Sequence, residues 1–236
     1  MVNLLRRGMV KATGFSSMIS KYQVKMINLK LDSKMIGLPN LNLSSFDLAA
    51  DRLNEAFCED PCFKYFLGSE EYNYIKAKRI HKYALKLGML YGSILISSDL
   101  LEGVSIWLPP TRVDVTSWML VRAGGLKLIK SGEGIIKNII KYSDYSLKIH
   151  HQNVSIPHWY LLSIGVGKEY QGKGFAGKML KPVFNHFDQT GYPCYLETHN
   201  PNNIKFYENY GFKVVEVGVL PNSEKKHYAM LRMPNT

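Results

Sequence analysis

The chain has 236 residues and a mass of 26.9 kDa, which fits one globular domain with a sizeable insertion or extension. Its 46% apolar and 12% aromatic content excludes a chain that is disordered throughout, and it lacks the run of about 18 apolar residues that a transmembrane helix needs. The formal charge of +11 indicates an anionic partner, which nucleic acid, acidic lipid or a phosphorylated cofactor could each supply.

The cysteines indicate a reducing compartment. Cys58, Cys62 and Cys194 are too few for a disulfide scaffold, and their odd number favours free thiols in a soluble, cytoplasmic protein. Cys58 and Cys62 are four residues apart and could share a helix face. Because no paired Cys/His set follows at zinc spacing, we predict no metal site.

The first 35 residues are strongly basic, with seven lysines and arginines against the single acid Asp32. Such a segment could be an organellar presequence, although no compact apolar region and cleavage site follow it. The alternative is a mobile extension with one early strand around Met26–Leu31, ending at a turn over 37–40. We predict an extension over 1–40 and one domain over 41–236.

The next elements are helices and a hairpin. Apolar residues three or four apart predict a helix over about 45–58, stopped by Asp60-Pro61, and a long helix from the acidic start at 69–71 to about 91. Two short runs, Ser93–Ser98 and Leu101–Leu108, predict a β-hairpin. Helical spacing then returns over 112–152, broken by glycines, and predicts an insertion of two or three short helices.

Strands and helices alternate over the last 80 residues, which is typical of an α/β fold with a layered sheet. The continuous apolar run His158–Val166 predicts a central strand covered on both faces. The following predicted elements are a helix from 175 to 187, the strand Tyr192–Thr198, the helix Asn202–Asn209, and the strands Phe212–Val219 and His227–Met233.

A glycine-rich loop lies between the central strand and the next helix. Its residues are Gln171, Gly172, Lys173, Gly174, Phe175, Ala176 and Gly177. Glycines allow the backbone to approach a ligand closely, and the free N–H groups of a helix start can bind phosphate oxygens. Lys173 and Lys178 add positive charge. The alternative is a tight strand-to-helix turn that binds nothing.

Two familiar phosphate motifs do not fit this loop. Gly172, Gly174 and Gly177 have the spacing of a dinucleotide fingerprint, and Glu197 stands where a ribose-binding acid is expected. However, five residues separate Val166 from Gly172, and only 39 residues follow Glu197, too few to complete a doubly wound sheet. A P-loop is excluded because no Gly-Lys-Ser/Thr ends the loop.

The residues over about 158–215 resemble the GNAT acetyltransferases. The resemblance rests on an ordered set of motifs: Leu161-Leu162-Ser163-Ile164-Gly165-Val166, Gln171-x-x-Gly174-x-Ala176, Leu196-Glu197-Thr198, and Asn203-x-x-Phe206-Tyr207-x-x-x-Gly211-Phe212. Earlier motifs, Ala56-Phe57 before Asp60-Pro61 and Glu102-Gly103-Val104-x-x-Trp107-x-x-Pro110, are similar to the branch that includes puromycin acetyltransferase. The resemblance implies a mixed α/β sheet flanked by helices, whose bulged central strand splays from its neighbour.

The resemblance also implies how acetyl-CoA, the co-substrate, is bound. Ile164 and Val166 would offer backbone hydrogen bonds to the pantetheine arm, with Gly165 between them at the bulge or at a close helix contact. Residues 171–177 would cradle the pyrophosphate, with Lys178 beside them. Asn203 would hold the arm from the other side. The Lys168-Glu169 pair replaces the proline-containing approach that is common in the family.

Direct transfer of an acetyl group needs a proton acceptor for the amine and a proton donor for the departing thiolate. By resemblance Tyr207 is the acid, although a tyrosine beside Phe206 could equally be a core aromatic. Glu197 is our first choice as base, and its alternative is a carboxylate that only orders the loop. His199 and His158 are second choices as base, and the alternative for each is a surface or hydrogen-bonded histidine. Asp60 and Glu102 could line the amine pocket and attract a cation, and the alternative for each is a solvated surface position.

We therefore expect an N-acetyltransferase that moves acetyl from acetyl-CoA to a small-molecule primary amine in a ternary complex. The insertion over 112–152 would form part of the acceptor pocket. Two alternatives remain open: a catalytically silent CoA-binding module, and an acetyltransferase for peptide or protein amines. We expect no nucleic-acid or membrane partner, and the sequence leaves monomer and homodimer open.

Overall fold

The computed structural model describes residues 29–115, 117–125, 128 and 132–235. Within those ranges, no helix combines the length and the apolar character needed to cross a bilayer. Most of the early strand predicted around Met26–Leu31 lies outside the described residues. Its last three residues, 29–31, are not in a strand.

Six strands of the described chain form one mixed sheet: β1 (Ser93–Ile96), β2 (Gly103–Leu108), β3 (Trp159–Val166), β4 (Cys194–Thr198), β5 (Phe212–Val219) and β6 (Lys226–Arg232). Their spatial order is β1, β2, β3, β4, β6, β5. The β3–β4 pair is parallel, and the other neighbours are antiparallel. This architecture confirms the predicted mixed α/β fold.

The α-helices that the structure describes are α1 (Ser33–Ile36), α2 (Phe46–Ala56), α3 (Pro61–Leu67), α4 (Tyr74–Tyr91), α5 (Ser117–Arg122), α6 (Glu133–Asn153), α7 (Phe175–Thr190) and α8 (Asn202–Glu208), and short 3-10 helices cover Leu43–Ser45 and Lys168–Tyr170. In α7, the apolar residues that recur at helical spacing are buried against the sheet. The helix ends at Gly191, whose φ of 75° is the left-handed conformation that glycine adopts most easily.

Local capping explains where the first helices differ from the sequence prediction. Asp60-Pro61 stops α2 but also begins α3, because the Asp60 side chain accepts from the Cys62 N–H and proline fits the first helical position. Cys58 therefore precedes this helix and does not share a helix face with Cys62. The acidic stretch at 69–71 does not start α4; Asn73 caps that helix instead.

The insertion was predicted as two or three short helices, and this was partly wrong. After the short α5, α6 runs unbroken for 21 residues. It begins beside Gly132, whose φ of 119° places it outside the helix, whereas Gly134 is accommodated within the first turn. The buried residues of α6 include Ile135, Ser146, Ile149 and His150.

The parallel pair at the centre of the sheet separates after three residues. Trp159–Leu161 pairs with Cys194–Leu196, after which β3 continues along β2 to Val166 while β4 continues along β6 to Thr198. The two strands therefore leave a gap between their carboxyl ends, as the resemblance implied.

The bulge in β3 is at Leu162 and not at Gly165. The β2–β3 register passes from Ile106↔Ser163 to Trp107↔Leu161, so that Leu162 is left unpaired. A Cβ atom on Gly165 would come within 2.9 Å of both Leu53 and Ala56. Gly165 thus allows α2 to pack closely on the strand, which is the second of the two roles considered for it.

Part of the predicted N-terminal extension belongs to the core. Leu31, Ile36 and Leu38 are buried in the cluster that contains α7 and the central strands. The Leu31 N–H donates to the Ser93 hydroxyl at 2.8 Å, which ties this segment to the start of β1.

Candidate active site

A cavity of about 230 Å³ begins in the gap between β3 and β4 and extends under α3, α4 and α6. Ser163 and Ile164 line it on one strand, and Glu197 and Thr198 line it on the other. Much of the remaining wall of the cavity is aromatic, and the rings belong to Phe57, Phe63, Phe66, Tyr83, Tyr142 and Tyr160. We call the part that contains Asp60, Cys62 and His199 the acceptor end.

The insertion contributes one wall of this cavity. Residues from α6 that line it include Ile139, Tyr142, Ser146 and His150, and Val113 and Val115 line it from the preceding loop. The segment over 112–152 therefore lines the cavity, and its role in binding an acceptor stays a prediction.

The glycine loop has the geometry of an anion cradle. Gly172 and Gly174 have φ angles of 73° and 83°, and nothing lies within 4 Å of a Cβ atom built on either. Gly174 precedes α7 and gives it no side-chain cap. The first turn of this 16-residue helix therefore has N–H groups that no capping side chain engages, and residues 171–174 beside them are exposed. This part of the chain fits the pyrophosphate of a coenzyme A thioester.

The remaining loop residues shape this cradle. The Gln171 amide donates to the Val166 carbonyl at 3.1 Å, which closes the loop back onto the end of β3. Gly177 is needed for packing, because a Cβ atom there would lie 2.7 Å from the Tyr210 hydroxyl. The Lys173 and Lys178 ammonium groups lie over the rings of Tyr170 and Phe175, at 5.9 and 5.8 Å from the ring centres.

Two residues of α8 line the cavity beside the strand gap. Asn203 donates from its amide to the Thr198 hydroxyl at 3.1 Å. Tyr207 is buried with its ring against Phe206 and Phe212, and none of the hydrogen bonds among the described residues engages its hydroxyl. Burial, together with the nearby charge of Asp60, raises the pKa of Tyr207, so the phenol stays protonated.

Glu197 is buried at the centre of a hydroxyl network. Its carboxylate accepts from Tyr142 at 2.8 Å, Ser146 at 2.7 Å, Tyr195 at 2.9 Å and Tyr160 at 3.2 Å. Burial alone would raise the pKa of Glu197, but His227 and these donors outweigh it and hold the pKa below its ordinary value. A carboxylate with four hydroxyl donors is ionised and is a weak proton acceptor.

The acceptor end contains a different set of groups. Burial raises the pKa of the Asp60 carboxyl to about 6, against the opposing effect of the Cys62 and Phe63 N–H groups. Burial lowers the pKa of His199 to about 3, so its ring is neutral. The His199 Nε2 lies 3.1 Å from His227 Nδ1, and His227 Nε2 lies 3.7 Å from a Glu197 oxygen.

Two sequence candidates lie outside this cavity. His158 contacts His150 at 2.6 Å between Nε2 atoms and lines a second cavity, near Asp114 and His151. Glu102 accepts from the Ser97 and Ser98 hydroxyls at 2.6 and 2.7 Å at the β1–β2 turn. The expectation that Glu102 lines the amine pocket is therefore wrong, because its carboxylate caps a turn.

Sequence reasoning missed the groups around Glu197. Tyr160 and Tyr195 are register partners on β3 and β4, and Tyr195 and Glu197 share a strand face because they are two residues apart. Tyr142 and Ser146 are four apart on α6. These spacings are visible in the sequence, but only the fold brings the helix face against the strand face.

Parts of the sequence are similar to known protein families and proteins. The sequence model of the acetyltransferase (GNAT) family matches residues 145–212. An uncharacterized N-acetyltransferase of Schizosaccharomyces pombe is 29% identical over 204 residues, covering 80% of this chain and 79% of that protein. A probable serine/threonine-protein kinase of Dictyostelium discoideum is 25% identical over 202 residues, which are 74% of this chain but only 20% of that protein.

Solved structures share the fold at low sequence identity. A structure described as histone acetyltransferase HPA2 and related acetyltransferase, from Corynebacterium glutamicum, has a TM-score of 0.53 at 18% identity, with 84% of this chain and 96% of that chain covered. Arylalkylamine N-acetyltransferase 2 of Aedes aegypti has a TM-score of 0.55 at 13% identity, with 84% and 98% covered. The matched segment, the S. pombe relative and the shared fold together support an acyltransferase of the GNAT type; the puromycin acetyltransferase branch finds no such support.

Proposed function

We propose that the protein is an acetyl-CoA-dependent N-acetyltransferase whose acceptor is a small-molecule primary amine. The observation that carries this proposal is the single cavity that joins the gap between β3 and β4 to the buried acid at the acceptor end. Its volume of about 230 Å³ lies below the range of roughly 300–1,000 Å³ for drug-sized ligands, which favours a small acceptor. The aromatic wall and Asp60 suit an amine with an apolar body.

The chain's own groups supply the proton transfers. The amine nitrogen forms a bond to the thioester carbonyl carbon, and the carbon–sulfur bond breaks as the thiolate departs. Tyr207 donates a proton to that thiolate. The backbone of Ile164, Gly165 and Val166 along the open edge of β3, with Asn203 opposite, would hold the pantetheine arm. Acetyl-CoA contributes the activated acetyl group when bound.

Asp60 suits the role of proton acceptor for the amine better than Glu197 does. Glu197 is saturated by hydroxyl donors, whereas Asp60 faces the cavity and its pKa of about 6 lies close to the operating range of a general base. We therefore assign the base to Asp60. Glu197 then orders the wall of the cavity and orients His227 against His199.

The first experiment is calorimetry with acetyl-CoA. Gly174→Val places a branched side chain at a positive φ inside the cradle and should weaken binding at least about tenfold. The matched control is Gly37→Val, since Gly37 also has a positive φ with open space around it but lies at the end of α1. Equal affinity in the two variants would contradict the cradle.

The second experiment measures thiol release over a panel of small amines and of peptides with free N-termini. Turnover of small amines supports the proposal. Turnover of peptides alone would assign the enzyme to peptide or protein substrates. Tight acetyl-CoA binding without turnover of either class would favour a silent binding module.

A further inference from the structure

The acceptor end brings together three side chains of different metal-binding chemistry. Asp60, Cys62 and His199 each place one potential ligand atom within 4.8 Å of the other two. A carboxylate oxygen, a sulfur and an imidazole nitrogen are the donors that zinc takes in proteins. The sequence did not predict this set. Its spacing relates Cys62 to Cys58, four residues earlier, whereas His199 is 137 positions away.

The local contacts leave these groups available to a cation. None of the ion pairs among the described residues involves Asp60, and no hydrogen bond there engages the Cys62 thiol. Asp60 is fixed by the Cys62 N–H at 2.8 Å, and His227 supports the His199 ring at 3.1 Å. Metal-binding histidines generally have such an outer partner.

We propose that Asp60, Cys62 and His199 form a zinc-type site at the acceptor end. Three protein ligands with one position open to a cavity is the arrangement of zinc sites that exchange their fourth ligand. Binding would displace the proton of the Cys62 thiol, because the thiolate is the form that binds a metal. Because the ion would occupy the acceptor end, it should exclude an amine while leaving the β3–β4 gap free.

The test uses the full chain, stripped of metal by chelator and titrated with Co²⁺. Thiolate ligation to Co²⁺ gives a charge-transfer absorption band that carboxylate and imidazole ligands do not give. We expect this band to saturate at one Co²⁺ per chain and to disappear on addition of Zn²⁺. Absence of the band at saturating Co²⁺ would overturn the proposal.

Two ligand variants make the assignment specific. Asp60→Asn retains a good helix cap but loses the negative charge, and Cys62→Ser retains the size of the side chain. Because loss of an outer partner alone costs roughly 10–100-fold in metal affinity, loss of a ligand should weaken Co²⁺ binding about 100-fold or more. Circular dichroism of each variant establishes that it is folded, and unchanged Co²⁺ affinity in a folded variant rejects the site.

Two controls exclude other sites. Cys58→Ser removes the neighbouring thiol and should leave the band unchanged. Asp114, His150 and His151 form the other cluster of potential ligands among the described residues, and Asp114 and His151 are exposed. His151→Ala should also leave the band unchanged. Loss of the band in Cys58→Ser would mean that the wrong thiol had been assigned.

A further test, by enzyme kinetics, rests on the proposed function. If amine acetylation is observed, Zn²⁺ should inhibit it competitively with the amine and not with acetyl-CoA. Competition with acetyl-CoA would overturn the placement of the ion at the acceptor end. The spectral titration does not depend on turnover, so failure of the metal site and failure of the acetyltransferase assignment are separate results.

Discussion

The hydroxyl of Tyr207 has no hydrogen-bond partner among the described residues, which suits the proposed role of this residue as the general acid. Its ring is fixed by Phe206 and Phe212, at centre distances of 5.2 and 5.8 Å, and the residue lines the cavity that begins in the gap between β3 and β4. Burial keeps the phenol protonated. A fixed, protonated donor at that point is what departure of a thiolate requires.

Tyr207→Phe should therefore lower kcat by about 100-fold or more, because general acid catalysis contributes roughly 10²–10⁴-fold. The ring contacts remain, so the affinity for acetyl-CoA should stay within a factor of about two. Steady-state thiol release and calorimetry measure the two quantities. Tyr74→Phe, at an exposed tyrosine, is the control. Unchanged kcat in Tyr207→Phe would remove it as the acid.

The two candidate bases predict different pH profiles. If Asp60 accepts the proton, kcat/KM of the wild-type enzyme should fall below about pH 6, where burial places its pKa. Asp60→Asn should lose about 100-fold in kcat/KM and lose this acidic limb. Glu197→Gln should keep the limb, since the pKa of Glu197 is held below its ordinary value. If Glu197→Gln abolishes the limb and Asp60→Asn retains it, Glu197 is the base.

At the scale of elements, α6 and β5 meet at a glycine. A Cβ atom on Gly218 would collide with the Tyr145 hydroxyl, so a side chain at position 218 would force the Tyr145 side chain out of its place between helix and strand. This contact helps to hold the insertion over the cavity, because Tyr142 and Ser146 on the same helix bind Glu197.

Gly218→Ala should thus destabilise the fold by about 1–3 kcal/mol through overpacking. Gly134→Ala is the matched change, because Gly134 lies in α6 with open space around its Cα. There alanine should increase the free energy of unfolding by up to about 1 kcal/mol, since it is the better helix former. Urea unfolding measures both. Changes of the same sign would contradict this account of the contact.

The sequence predicted elements best where local signals suffice. Phe212–Val219 agrees with the strand observed, and β3 and α7 differ from their predicted ranges by a few residues at most. The prediction was wrong at the start of α4, which Asn73 caps although the sequence indicated the acidic stretch at 69–71. It was also wrong in the insertion, where one long α6 forms although Gly134 lies within it. The spacing of neighbouring residues does not predict which residues distant in the sequence will pack together.

The same limit applies to the candidate site. The glycine loop, Asn203 and Tyr207 follow one another along the chain, so a motif could mark them. Most contacts in the Glu197 network and in the cluster of Asp60, Cys62 and His199 join residues that are tens of positions or more apart. Their members are visible in the sequence only as isolated polar residues, so the sequence indicates Asp60 only as a pocket-lining acid and not as a base.

For the molecule as a whole, several buried histidines link stability to pH. His81 is stacked on Phe63 at 4.2 Å, and its Nε2 has no hydrogen-bond partner among the described residues. Burial lowers its pKa from 6.5 to about 3, so the ring stays neutral in the folded protein. The unfolded chain binds a proton below pH 6.5 that the folded chain does not bind. The burial of neutral His81 therefore lowers the free energy of unfolding as pH falls from 6.5 towards 3.

His81→Leu isolates this effect. Between pH 7 and pH 5, His81 should cost the wild-type protein about 2 kcal/mol of unfolding free energy, because each pH unit in this window costs about 1.4 kcal/mol. The raised pKa of Asp60 acts in the opposite direction at the lower end of this range, but it is common to both proteins. The measured quantity is thus the difference in pH slope from urea unfolding, which should be shallower in the variant. Equal slopes in the wild-type protein and in His81→Leu would show that His81 is protonated in the folded state.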